Sequence, residues 1–184
     1  IVGYGSYAAD PHYRFRPGKS RVVKPGHFLL LDIWGELNRP EAPYADLTHM
    51  YFVGRSIPTR FQKLWQDLKD ARDRALNHLQ ENMRAHGAAL HNIASERLDV
   101  AGYQGLFVHG LGHDLGHDHP HGPGINLSPK FKEPLARARG YTIEPGIYKK
   151  GVFGLRSEID IFFDAQGRTR PTCTIQSELP TIPI

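Results

Sequence analysis

The stretch Val108-His109-Gly110-Leu111-Gly112-His113-Asp114-Leu115-Gly116-His117-Asp118-His119-Pro120-His121-Gly122 decides how this chain is read. It holds five of the eleven histidines within thirteen residues, His109 to His121, and four glycines and one proline in all. Glycine costs about 1 kcal/mol relative to alanine inside a helix, so this composition predicts a turn or loop. Glycines also let backbone approach a site closely. Imidazole is a frequent metal ligand and an acid or base near neutral pH. A His-rich loop facing only solvent has the same composition, so the rest of the chain must decide between the two.

The chain has 184 residues, enough for one domain with its own core. Hydrophobic residues make up 40% and charged residues 23%, the balance of a globular protein. The formal net charge of +4 comes without a run of five Lys/Arg, so neither a nucleic-acid partner nor a basic stripe is expected. No stretch approaches the ~20 apolar residues of a membrane span. The one cysteine, Cys173, cannot form an internal disulfide. A cytoplasmic protein is the expectation. The first residues, Ile1-Val2-Gly3, lack a Met and a signal-peptide pattern, which reads as a cut from a longer chain.

Outward from the His-rich stretch, strand-like runs carry acids. His27 to Trp34 is an apolar run with Asp32 near its end, and a carboxylate there is costly unless paired or coordinated. Ala45 to Gly54 is a second run that begins with Asp46, and the two together predict a hairpin. Gly140 to Tyr148 predicts a short strand broken by Pro145-Gly146 and carrying Glu144. Leu155 to Phe163 predicts a further strand, with Arg156, Glu158 and Asp160 on one face. A last strand is expected near Thr172–Gln176, and Asn126 to Arg139 follows no pattern.

The clearest helix spans Ile57 to Ala85, with Phe61, Leu64, Trp65, Leu68, Ala71, Ala75, Leu79 and Met83 at helical spacing and Gly87 as its stop. Trp65 and Met83 are expected in the core. Lys63, Asp67, Asp70, Arg74 and Asn77 are expected to face solvent. A shorter helix is predicted from about Leu90 to Ala101, with an apolar stripe broken by Arg97 and an end at Gly102. His12, after Pro11 in a turn-rich segment, reads by itself as an exposed loop histidine.

Asp32, Asp46, His113, Glu144 and Glu158 form a mixed oxygen and nitrogen donor set, suited to divalent ions such as Mn²⁺, Zn²⁺ or Co²⁺. Four carboxylates can neutralise two such ions, and metals ~3.5–4 Å apart can share one hydroxide in a hydrolytic step. The segments LLLDIWG, YADLTHMYFVG, HGLGHDLG, TIEPGIY and GLRSEID resemble, in order and context, those of the pita-bread metallopeptidases. That family includes methionine aminopeptidase, aminopeptidase P, prolidase and creatinase. HGLGH and TIEPGIY are most similar to the proline-directed branch, and the resemblance runs from about Gly3 to Gly167.

The resemblance implies an α+β pita-bread fold: a curved antiparallel sheet with helices packed outside, in a single catalytic domain over residues 1–184 from which the usual N-terminal part is missing. It implies a hydrolase that cleaves the Xaa-Pro bond of peptides with two divalent ions, manganese first and zinc or cobalt next. Asp32 would chelate one metal, Asp46 and Glu158 would bridge both, and His113 and Glu144 would complete the other. Glu144 would also shuttle a proton, while His12 and His109 would line the substrate site. The family's third substrate-site histidine falls seven residues after His113, where this chain has Pro120; His121 takes that role if one residue is inserted, with His119 as the other choice. Arg156 would orient the ligands. A proline-containing peptide is the expected partner, in a monomer or a homodimer. The alternatives are a pita-bread module that binds peptide without cleaving it, and a methionine aminopeptidase-like enzyme.

Overall fold

The two acid-bearing runs form the long hairpin around which the chain is arranged. A computed structural model describes all 184 residues. Strand β2 (His27–Gly35) pairs antiparallel with β3 (Ala45–Val53) along nine residue pairs. Phe28, Leu30 and Asp32 point to the same buried face as Asp46, Thr48, Met50 and Phe52. Their period of two is that of a strand with one face inward. Asp32 stands opposite Thr48, and Asp46 stands opposite Trp34, so the two acids are diagonal neighbours on one face.

A short N-terminal strand, β1 (Val2–Tyr4), adds to the other edge of β2 and leads into a 3₁₀ turn at Gly5–Ala9. Gly154 passes that turn so closely that a Cβ would lie 1.8 Å from the Ala8 carbonyl oxygen, which no side chain permits. Then come helices α1 (Thr59–Glu81) and α2 (Gly87–Val100). The remaining strands are β4 (Arg139–Ile143), β5 (Gly146–Lys149), β6 (Phe153–Arg156), β7 (Ile159–Phe163), β8 (Thr169–Pro171) and β9 (Thr181–Ile182). They build a β4-β7-β8 sheet and a β5-β6 hairpin, while β9 closes the edge of β3. The β3-β9 pairing is parallel and every other pairing is antiparallel.

One core joins these parts. Leu64, Leu68, Ala71, Ala75 and Leu79 of α1 and Leu90, Ala94 and Leu98 of α2 pack into a cluster with Phe28, Met50, Tyr141, Ile147 and Ile161. Fully burying an aliphatic side chain contributes about 1.5–3 kcal/mol. Truncation of Leu68 or Leu98 to alanine is therefore among the costliest single changes.

Several expectations need correction. Helix α1 stops at Glu81, where the Asn82 N–H donates back to the His78 carbonyl. Met83 thus lies beyond the helix and is 53% exposed, not in the core. Gly87 opens α2 instead of ending α1, because a Cβ there would collide with the Asn126 carbonyl oxygen at 2.2 Å. Asp67 does not face solvent: it is buried under Arg97 of α2, which explains the charge in that helix's apolar stripe. The predicted strand from Leu155 to Phe163 is two strands, parted where the Ser157 N–H turns to the Pro145 carbonyl. Thr172–Gln176 forms no strand; Gln176 instead exchanges side-chain hydrogen bonds with both backbone groups of Met50. The patternless segment after Asn126 wraps the start of α2, with the Ala88 N–H bonded to the Phe131 carbonyl.

Candidate metal centre

A cavity of about 520 Å³ opens where the long hairpin, the His-rich loop and the β4–β7 strands meet. Its wall carries all five converging donors: Asp32, Asp46, His113, Glu144 and Glu158. Asp32, Asp46 and Glu158 bring carboxylate oxygens within 4.8 Å of one another, as do the donor atoms of His113, Glu144 and Glu158 and those of Asp46, His113 and His121. His12, His109, His119 and His121 line the same cavity. A larger open cleft of about 1530 Å³ shares the His119–His121 segment but holds none of the five donors. Its size does not make it the chemical centre.

The loop places His113 through a pair of bonds to Thr142. Its N–H donates to Thr142 Oγ1 at 3.0 Å, and the Thr142 N–H donates to the His113 carbonyl at 2.9 Å. The glycine before it is required, because a Cβ on Gly112 would meet the Thr142 carbonyl oxygen at 2.2 Å. The His113 ring lies 2.9 Å from the Asp114 carbonyl at Nδ1. A carbonyl only accepts, so Nδ1 carries the proton and Nε2 presents a lone pair. Burial lowers the His113 pKa to about 4, against the Asp114 carbonyl, which raises it; His121 lowers it further. The ring is therefore neutral at pH 7.

That lone pair faces Asp46 Oδ2 at 3.7 Å and Glu144 Oε1 at 3.5 Å. A lone pair and two carboxylates this close repel unless a proton or a cation stands among them. The acids show the same imbalance. Burial, then Asp32 and Glu144, push Asp46 up to about 8. Burial, opposed by Arg156 and reinforced by Asp32, raises Glu144 to about 7. Burial and then Glu144 hold Glu158 well above the usual carboxylate range. A mixed carboxylate and imidazole donor set of this kind fits divalent first-row metals.

One guanidinium pairs with three of the four acids. Arg156 is buried, pairs through Nη2 with Asp32 and lies 3.8 Å from Glu144 and 3.4 Å from Glu158. Its Nε–H also donates to Thr48 Oγ1 at 2.7 Å, and the Thr48 hydroxyl donates onward to Glu158 Oε2 at 2.5 Å. Thr142 acts likewise toward Glu144 Oε1 at 3.3 Å. Neither threonine stands out in the sequence. Each lies two residues from an acid on one strand face, Thr48 after Asp46 and Thr142 before Glu144, and that spacing is the signal that marks them. Asp160 is a further buried acid. Its Oδ2 accepts the Asp46 N–H at 3.0 Å, and burial raises it to about 7.

The histidines differ in how they are held. His109 is half-buried, with Nδ1 2.7 Å from the Gly110 carbonyl and Nε2 2.9 Å from the Tyr148 hydroxyl. Burial, opposed by that carbonyl, lowers it to about 4. The ring of His121 stacks on His113 at 3.8 Å between centroids, inclined by 13°. His119 touches the His121 ring and accepts the His121 N–H at 3.1 Å. Of the two choices for the third histidine, His121 is the one stacked on the donor cluster. His12 is exposed at the cavity rim, as a loop histidine would be.

Comparison with known proteins agrees with this architecture. The profile of Metallopeptidase family M24 matches residues 1–165. The Xaa-Pro dipeptidase of Pyrococcus furiosus is 28% identical over 177 residues, covering 95% of this chain and 47% of that protein. The dipeptidase PepE from Mycobacterium ulcerans superimposes with a TM-score of 0.87 at 27% identity, over 100% of this chain and 47% of that one. The X-Pro aminopeptidase from Thermotoga maritima gives a TM-score of 0.84 at 27% identity, over 99% of this chain and 48% of that one. The chain spans 34% to 47% of the length of curated relatives it matches. No helix is long and apolar enough to cross a membrane.

Proposed function

The chain belongs to metallopeptidase family M24 and has its pita-bread fold, and from that premise we propose that it is a catalytic domain that hydrolyses the Xaa-Pro bond of peptides with two divalent cations, Mn²⁺ first. The observation that carries this reading is the set of four carboxylates and one neutral imidazole lone pair around a single buried arginine. Asp32, Asp46, His113, Glu144 and Glu158 are the residues that would hold the cations. Cations bound there supply Lewis acidity and an activated water at neutral pH.

The side chains around them have separate tasks. Glu144 holds a proton at Oε and passes it to the leaving nitrogen, its Oε1 steered by the Thr142 hydroxyl. Arg156 and Thr48 keep Asp32 and Glu158 from turning away from the cavity. His109, His121 and His12 contact the peptide from the wall and rim of the cavity. The Tyr148 hydroxyl donates to His109 Nε2 and holds that ring toward the cavity. Residues 1–184 act as one domain, because their buried apolar side chains form one cluster.

The test is hydrolysis of Xaa-Pro dipeptides and tripeptides by metal-stripped protein, with and without Mn²⁺, beside elemental analysis of untreated protein. Manganese-dependent release of the residue before proline is expected. The dipeptide-to-tripeptide ratio separates prolidase-like from aminopeptidase P-like activity. Peptide binding without turnover by metal-loaded protein overturns the catalytic reading in favour of a binding module.

A further inference from the structure

We propose that Asp114 is a positioning residue: a carboxylate outside the cavity that fixes His121 against His113 and so sets how the cavity holds a peptide. On the substrate side this rests on the peptidase reading above; on the structural side it stands alone. Asp114 follows His113 directly and is fully buried, yet it does not line the cavity and belongs to none of the converging donor groups. Its carboxylate is occupied elsewhere. The Gly124 N–H donates to Oδ1 at 3.1 Å and to Oδ2 at 3.0 Å, and Arg139 Nη1 donates to Oδ2 at 3.1 Å. The Gly122 N–H donates to the Asp114 carbonyl at 2.9 Å.

These bonds grip the chain just past His121. A Cβ on Gly122 or Gly124 would lie 2.6 or 2.5 Å from Asp114 Oδ2, so both glycines press bare backbone onto the carboxylate. On the near side, Leu115 bridges to His121, and the Gly116 N–H donates to the Pro120 carbonyl at 3.2 Å. The His117–His121 excursion is thus tied at both ends, and its last side chain stacks on His113. A buried carboxylate is costly unless charge-assisted donors surround it, and here every donor is either the loop's own backbone or Arg139 at the start of β4. Loosening that carboxylate's hold lets the His121 ring leave its stack while the Thr142 bonds still hold His113.

The experiment compares the full chain with Asp114→Asn and, as a milder variant, Arg139→Gln, whose side chain is 46% exposed and tolerates change. Amide hydrogen exchange at Gly122 and Gly124, and the imidazole NMR signals of His121, report the tether directly. Exchange about tenfold faster and shifted His121 signals are expected, more strongly in Asp114→Asn. With Xaa-Pro peptides, kcat/KM is expected to fall about tenfold while bound Mn²⁺ and its half-saturation stay at wild-type values. Unchanged exchange and unchanged His121 signals in both variants overturn the proposal. So does a loss of Mn²⁺ with unshifted His121 signals, because Asp114 would then serve His113 alone. If the parent protein cleaves no Xaa-Pro peptide, the peptidase reading fails, and exchange and ring signals alone decide the tether.

Discussion

Two groups of acids are buried in this chain, and they are treated in opposite ways. Between the helices, Asp67 accepts hydrogen bonds from Lys63 at 2.6 Å, Arg97 at 2.8 Å and Tyr103 at 2.8 Å. Asp70 takes Arg97 Nε and Arg74. Burial pushes Asp67 upward, but these donors outweigh it and hold its pKa below the usual value. In the cavity, Arg156 is the one guanidinium among four carboxylates; it pairs with Asp32, Glu144 and Glu158 but not with Asp46, which burial and its neighbours drive up to about 8. A clasp built for stability supplies its countercharges from within the chain. A cluster that leaves its charges unmatched asks for a cation from outside, and that contrast separates structural acids from chemical ones.

The contrast breaks most visibly under substitution in the cavity. Asp46→Ala or Glu158→Ala is expected to weaken Mn²⁺ binding at least a hundredfold and to abolish manganese-dependent peptide hydrolysis, read by elemental analysis and peptide assay. The same change made in the clasp, Asp67→Ala, is expected to leave Mn²⁺ binding intact and cost about 2–3 kcal/mol of stability, because Arg97 and Tyr103 lose a shared acceptor while Arg97 keeps Asp70. Conservative amides sharpen the comparison by sign. In metal-free protein, Asp46→Asn relieves repulsion and is expected to raise stability by about 1 kcal/mol, whereas Asp67→Asn lowers it by about 2 kcal/mol, both read by urea denaturation. A fall in both variants would erase the distinction.

Smaller effects refine it. Thr48→Val removes the hydroxyl between Arg156 and Glu158 and is expected to weaken Mn²⁺ about tenfold without lowering Tm by more than a few degrees. The clasp also carries a pH signature. Asp67 is lowered in the folded chain, so its contribution is present above the ordinary carboxylate pKa and is lost as pH falls through the folded value. Asp67→Asn should therefore flatten the acid limb of the stability curve. Arg97→Lys, which keeps the charge but loses the two-pronged donor, is expected to cost about 1 kcal/mol.

Local pattern made much of this legible. Strand-like runs place Asp32 and Asp46 on strands and Glu144 just past the end of β4, and helical spacing finds α1 to within a few residues. The ordered segments around the five donors carry the family resemblance. Met83 misleads because helical spacing continues past the point where the Asn82 N–H closes the helix. Asp67 misleads because a polar side chain on one helix says nothing of Arg97, thirty residues on, that covers it.

The sequence by itself determined which residues offer ligand-type side chains on or beside strands, since donor type and strand alternation are local properties. Only the tertiary structure decided which faces meet. It brought Thr48 to Glu158 across 110 positions, matched Asp67 to Arg97, and seated His121 in preference to His119 on His113. The physical reason is that periodicity encodes the direction of a side chain relative to its own element. Charge balance at a point in space depends on packing among elements distant in the chain.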